Sequence, residues 1–306
     1  MPWKTRLFRK RRALVPAVAG ALVCVLGAVY GVHANGQRQD RSADLPFELP
    51  SAAAHDARFV TWNMCGVPQW DCKDMAGTAR TEELWKLASA ANTRAVLLQE
   101  VCSGDLSQVA GRLGAAWHTS FRPYVTVAKT GDRSPVLCEH PDRGSAGFAI
   151  LAHSELTKVF LLPTPQPKEG LQRGVLCASL AAEDIRVCSA HLTPKGDDRE
   201  LRGDQLRELV RVSVGKRAVV GGDFNGVPPG QDNPNTWMWP SELYSKLREC
   251  DQRGSSRAGR PTHEDGDKID YLFTSLTRSG CELAPWGVSD HRALVLRVPL
   301  GDAPSP

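Results

Sequence analysis

Six short apolar runs in this 306-residue chain each end on an acid, an amide or a histidine. They are RFVTWNMCG with Asn63, AVLLQEV with Glu100, RVCSAHL with His191, RAVVGGDFN with Asp223 and Asn225, KIDYLF with Asp270, and GVSDHRALVLRV with Asp290 and His291. Carboxylate and amide oxygens are ligands for hard cations, and imidazoles carry protons near neutral pH. The runs read as β-strands, and strand tips are where a sheet brings chain-distant groups together. A rim of oxygens with imidazoles beside it suits metal-assisted hydrolysis of phosphate esters.

Each motif has a bland alternative. In Gly221-Gly222-Asp223-Phe224-Asn225, the glycines let the backbone turn sharply as it leaves a buried strand. Asp223 and Asn225, two apart, can then share one side and hold a water, the acid taking its proton and the amide orienting it. An Asx turn closing a loop is the alternative. Ser289-Asp290-His291 enters the strand RALVLRV, so both side chains can reach one cleft, with Asp270 placed to fix the His291 tautomer. A turn aspartate beside a surface histidine is the alternative, as an ordinary strand-end histidine is for His191. Glu100 interrupts an otherwise buried strand, where an unpaired carboxylate is costly, so a metal or a strong partner is the economical explanation.

Taken in order, TWNMCG, LLQEV, SAHL, GGDFN, KIDYLF and SDHRAL resemble the endonuclease/exonuclease/phosphatase superfamily, which is deoxyribonuclease I-like, from Arg58 to Val298. The resemblance implies an α/β fold of the α+β type, a four-layer α/β/β/α sandwich. It also implies metal-dependent phosphoester hydrolysis with Mg2+, or with Mn2+ or Ca2+. Carried over by motif, Glu100 is the principal metal ligand with Asn63 and Asp290 nearby. Asp223 and Asn225 position the attacking water. His191 and His291 flank the phosphate, Asp270 supports His291, and Arg202 and Gln205 in LRGDQL are structural. One departure stands out: deoxyribonuclease I supports its first histidine with a carboxylate, yet Trp117–Ala128 contains no acid.

The supporting elements are legible as patterns. TARTEELWKLASAA reads as an amphipathic helix with Leu84 and Leu87 inward and acids in its first turn. DDRELRGDQLRELVRVSV places Leu201, Leu206, Leu209 and Val210 on one face, and WPSELYSKLREC reads as a third helix capped by Ser241. Residues 130–146 read as a loop over the site. Residues 231–240 read as a loop with two tryptophans, packed in a local cluster or free to meet a base or lipid.

Domain limits follow. Residues 1–12 are a basic tail with six Lys or Arg, and 13–33 an uncharged segment long enough to span a bilayer as an anchor or to serve as a signal. Residues 34–56 are a linker, 57–300 the catalytic domain and 301–306 a tail. Without the six N-terminal cations, 32 basic face 34 acidic residues, so the catalytic part lacks the basic excess of a strong sequence-independent DNA binder. Apart from Cys24, the eight cysteines fit four disulfides of an oxidising compartment, outside the cytoplasm. Cys177 and Cys188 lie equidistant from a turn at Ala182-Glu183, Cys65 and Cys72 bracket a short loop, and Cys102–Cys138 and Cys250–Cys281 follow by elimination. The expected partners are a phosphoester substrate, nucleic acid or a lipid or small phosphodiester, and a membrane through the N-terminal segment. A nuclease heads three readings, ahead of a sphingomyelinase-like lipid phosphodiesterase and an inactive scaffold.

Overall fold

The computed structural model describes residues 56–67, 70, 72, 77–194, 199–230 and 236–300. The basic tail, the apolar segment, all but the last residue of the linker and the C-terminal tail lie outside the described residues. Among those described, no helix is long and apolar enough to cross a membrane.

In the first half of the chain the strands are β1 (Ala57–Asn63), β2 (Thr93–Cys102), β3 (His118–Pro123), β4 (Val125–Val127), β5 (Arg133–Pro135), β6 (Ala146–Ala152) and β7 (Leu156–Leu161). Then come β8 (Gly170–Gln172), β9 (Gly174–Leu180), β10 (Ile185–His191), β11 (Ala218–Asp223), β12 (Arg248–Glu249), β13 (Asp270–Thr274), β14 (Gly280–Leu283) and β15 (Leu294–Val298). The α-helices are α1 (Gly77–Ser89), α2 (Ser103–Leu113), α3 (Arg199–Ser213) and α4 (Ser241–Lys246). One six-stranded sheet runs β14-β15-β1-β2-β6-β3 and a second runs β12-β13-β11-β10-β9-β7, while β5-β4-β8 form a small third sheet. Each large sheet contains one parallel pair, β1 with β2 and β10 with β11.

Strand alternation builds four layers. Phe59, Leu97 and Ile150 of the first sheet pack against Val187, Val219 and Leu272 of the second. The opposite residues of the first sheet, Val60, Trp62 and Leu98, meet Leu84, Leu106 and Val109 of α1 and α2. On the far side, Val175, Val220 and Phe273 meet Leu206, Leu209 and Val210 of α3. Period-2 strands thus bury both faces, and the helices cover what the sheets do not cover for each other. The expected α/β sandwich is present.

Several local expectations change. Leu201 is only half-buried at the start of α3, and α1 begins at Gly77 without an acid in its first turn. Pro240, not Ser241, occupies the cap of the six-residue α4, and Ser241 Oγ instead donates to the neighbouring Glu242. Residues 130–146 contain β5 and a single 3-10 turn, and no residue of that stretch lines the cleft described below. Trp239 is packed against Phe224, Tyr244 and Tyr271, leaving Trp237 exposed. All four disulfides join the expected pairs, and Cys177 stands directly opposite Cys188 in the β9–β10 hairpin.

Gly221 and Gly222 do not turn the chain. They lie within β11, between β10 and β13, where neighbours leave no room for a side chain. A Cβ on Gly222 would stand 1.8 Å from the carbonyl oxygen of Ala190, and its φ of 143° is one that L-residues rarely adopt. Gly222→Ala should therefore destabilise the protein by more than about 2 kcal/mol. A urea midpoint matching the wild type would show that the two strands can part without cost.

Candidate active site

The site residues gather because parallel strands end together. Asn63 closes β1, Glu100 lies near the end of β2, His191 closes β10 and Asp223 closes β11. His191 is paired with Asp223 in register, and Asp223 in turn with Asp270, the first residue of β13. Asn63, His191 and Asp223 continue the inter-sheet faces of their strands. Beneath them Thr61, Gln99 and Ser189 form a buried polar layer, in which Gln99 Nε2 donates to Ser189 Oγ (3.1 Å) across the two sheets.

Glu100 needs a different device. By simple alternation its side chain would join Leu98 on the helix-covered face. A bulge between Leu98 and Val101, with Glu100 at φ 52°, re-aims it toward the site. The Glu100 N–H, released from the ladder, donates to Tyr124 Oη (3.0 Å). Asn63 Nδ2 then bridges two carboxylates, donating to Glu100 Oε1 (3.2 Å) and Asp223 Oδ2 (3.1 Å), while Asn63 Oδ1 accepts from the Cys65 N–H (3.0 Å). Asn63 thus turns its amide nitrogen, not its oxygen, toward the acids and acts as a brace between them.

The Asp223 motif forms the Asx turn of the bland reading. Asp223 Oδ1 accepts the Asn225 N–H (2.8 Å), an Asx turn that leaves Oδ2 facing Asn63 and His191. Asn225, at φ 52°, donates its amide to the Leu192 carbonyl (3.0 Å), and Arg202 of α3 donates to the Asn225 carbonyl. Gln205 accepts the Thr193 N–H (3.0 Å). Arg202 and Gln205 therefore brace the turns that carry Asn225 and His191, as structural residues of the site itself.

The second histidine is held as expected. His291 Nδ1 lies 2.8 Å from Asp270 Oδ2, and Asp270 takes its backbone support from Thr262 Oγ1 (3.0 Å). Ser289 Oγ donates to the Asn63 carbonyl (2.8 Å), tying the Asp290-His291 loop to the end of β1. His263, which carried no sequence signal, stands beside them. Its Nδ1 is 2.8 Å from Asp265, its Nε2 3.5 Å from Asp290, and its ring 4.7 Å from that of His291.

The missing carboxylate behind His191 has a replacement. Tyr124, fully buried between β3 and β4, sets its hydroxyl 2.6 Å from His191 Nδ1. Its oxygen already accepts the Glu100 N–H, so its own proton points at Nδ1 and the His191 proton sits on Nε2. That Nε2 lies 3.3 Å from Asp223 Oδ2 and 4.0 Å from Glu100 Oε1 without a well-aligned hydrogen bond, a buried donor directed at the two acids. The sequence signal was an aromatic hydroxyl within the stretch that contains no acid.

Electrostatics separate the two imidazoles. Burial and then the charge of Arg173 push His191 down to about 4, so it is neutral at pH 7. Burial also opposes charge on His291, but Asp270, Asp223 and Asp290 outweigh it and push it up to about 10. Asp223 is held below the ordinary carboxylate range despite burial, by the facing His191 and the positive His291 and Arg173. Burial raises Glu100 to about 7, and Arg173, His291 and Asn63 offset only part of that. Glu100, Asp223 and His291 open onto a cleft of about 330 Å3 that also carries Arg173, His263 and Asp290, with His191 buried behind Asp223.

Residues 60–291 match the Endonuclease/Exonuclease/phosphatase family. The chain belongs to this family. It is accordingly a phosphoric ester hydrolase, and enzymes of the family generally depend on a divalent metal. No curated protein matches the chain. Solved structures share the fold at low identity. A humanized D. rerio TDP2 superposes with TM-score 0.57 at 13% identity, covering 79% of this chain and 98% of that one. The Neisseria meningitidis 3'-5' exonuclease NExo gives 0.57 at 14% over 79% and 99%. The human Nocturnin catalytic domain gives 0.56 at 17% over 79% and 92%.

The donors suit such a metal. Glu100 is buried, its Oε1 takes one amide hydrogen bond, and its Oε2 meets the disulfide sulfur of Cys72 at 3.6 Å, which has no proton to donate. A carboxylate so placed gains from a hard cation. Glu100→Gln tests this through stability. The folded pKa of about 7 exceeds the free value of 4.5, so the folded state binds more protons and the metal-free protein loses stability as pH rises through that window. At pH 8 the variant should be more stable than the wild type by up to about 3 kcal/mol without metal, and added Mg2+ should stabilise only the wild type. Equal unfolding midpoints at pH 8 would count against it.

Tyr124→Phe tests the tautomer. In the metal-free wild type, 15N NMR should show His191 protonated on Nε2 alone. The variant should show a mixture, and kcat should fall about 10- to 100-fold. An unaltered nitrogen spectrum would remove Tyr124 from this role.

Proposed function

We propose that the chain is a Mg2+-dependent phosphodiesterase that cleaves nucleic acid outside the cytoplasm, with residues 57–300 as its catalytic domain. The observation that carries the chemistry is the geometry around Asp223, whose Oδ2 lies 3.3 Å from His191 Nε2 and 3.1 Å from Asn63 Nδ2 while Asp270 holds His291 at 2.8 Å. Burial and the neighbouring charges keep Asp223 ionised, His191 neutral and His291 charged. Two imidazoles in opposite states, one on each side of a carboxylate, serve acid and base roles at one pH.

Asp223 Oδ2 accepts a proton from the attacking water, and Asn225 keeps Asp223 oriented through the Asx turn. His191 Nε2–H donates to a phosphoryl oxygen. His291, positive and anchored by Asp270, stabilises charge developing on the phosphoryl group or protonates the leaving oxygen. Glu100, oriented by the Asn63 amide, would hold together with Asp290 a divalent cation that neutralises charge on the non-bridging oxygens. Mn2+ or Ca2+ fit the same oxygen donors.

Two fold neighbours bear on the substrate: a D. rerio TDP2 complexed with single strand DNA product, and a 3' phosphatase NExo bound to product DNA hairpin. The full set of site side chains, brought together with its supports, disfavours the inactive scaffold. Four disulfides accord with an oxidising compartment, and the apolar segment 13–33 would serve as anchor or signal.

The test is turnover of DNA, RNA and a choline phospholipid by the oxidised full chain, with Mg2+ or EDTA. DNA or RNA cleavage should require Mg2+, and His291→Ala and Asp223→Ala should each lower kcat by at least about 100-fold with unchanged circular dichroism. Lipid cleavage alone would replace the nuclease reading, and full activity of either variant would end the mechanism.

A further inference from the structure

A second cavity, about 360 Å3, adjoins the catalytic cleft and shares Arg173 with it. It is built where β3, the small β5-β4-β8 sheet and the approach to β9 meet. Arg122 from β3 and Arg133 from β5 join Arg173 in its walls, and no carboxylate lines it. Among the described residues the Arg122 side chain has no hydrogen-bond or ion-pair partner, and Arg133 has only the neutral Gln172 Oε1 at 2.7 Å. Arg173 Nε is buried without a partner. The opposite wall is apolar, with Val125 and Leu161, the latter half-exposed although it is a large hydrophobic side chain.

The Arg122 and Arg133 guanidinium groups, left without counter-charges beside an apolar wall, call for an anion that carries a flat or apolar group. A phosphodiester lipid has a single phosphate, which the catalytic cleft would take. The arginines would then face an acyl chain or, in a choline lipid, a cation. A nucleic acid strand instead supplies one more phosphate with every nucleotide, each with a base attached.

We propose that this cavity holds the nucleotide next to the scissile phosphate of a nucleic acid strand. Arg122 and Arg133 meet its phosphate, the base lies on Val125 and Leu161, and Arg173 stands between the two phosphates. The proposal rests on the phosphodiesterase reading above and names the substrate of that same site.

The test compares the full chain with Arg122→Glu/Arg133→Glu on two substrates with Mg2+. One is a short single-stranded oligonucleotide, and the other is bis(p-nitrophenyl) phosphate, which has only the phosphate to be cleaved. The double variant should lose at least about 30-fold in kcat/KM on the oligonucleotide, chiefly through KM, with the slope of log KM against log salt reduced by about 1 to 2. On bis(p-nitrophenyl) phosphate it should stay within about twofold of the wild type. Equal losses on both substrates, or no loss on either, would overturn the proposal, as would a selective loss on choline phospholipid vesicles. Binding of a fluorescent oligonucleotide in EDTA separates the two layers. If the wild type turns over neither substrate, the phosphodiesterase reading fails, and weaker binding by the variant still supports the cavity while equal binding ends it.

Discussion

The hydrogen bond from Asn63 to Asp223 joins the two sheets at the level where chemistry is placed. It is possible because two parallel strand pairs, one in each sheet, end at the same rim. Below that rim the inter-sheet faces run from apolar Phe59 and Val187, through polar Thr61 and Ser189, to Asn63 and His191. Polarity rises along each strand because every buried polar atom needs a partner, and the opposite sheet supplies it. Gln99 and Ser189 form one fully enclosed step of that rise.

That enclosure sets the charges. The two imidazoles beside Asp223 differ because one faces a hydroxyl that donates to it and the other a carboxylate. Burial acts against charge on both. Only His291 has enough neighbouring negative charge to stay protonated, and Arg173 adds to the pressure that keeps His191 neutral. The same Arg173 faces a second cavity, so the charge that tunes the cleft also marks its border. Glu100 carries the opposite cost. Its backbone sits in a sparsely populated region and its carboxylate in low dielectric, a local expense that the sheets on either side are rigid enough to hold.

The sequence by itself determined the identity of the acid, amide and histidine set. Those residues interrupt or end apolar period-2 runs, and an unpartnered charge there has few bland explanations. It also determined the alternation that builds the layers and the Cys177–Cys188 pairing, since equal spacing from a turn puts two residues opposite each other. Tertiary structure decided the rest, because it concerned neighbours distant along the chain. Tyr124 became the support of His191 because β3 delivers it beneath β10, and local pattern holds nothing about which hydroxyl meets which ring. His263 joined His291 through an isolated bridge between loops, and Gly221 and Gly222 proved to be points of close strand approach where the pattern suggested a turn. Which way Glu100 points was settled by a one-residue bulge. A bulge reverses the side-chain parity that strand patterns rely on, so its outcome becomes visible only once both neighbouring strands are in place.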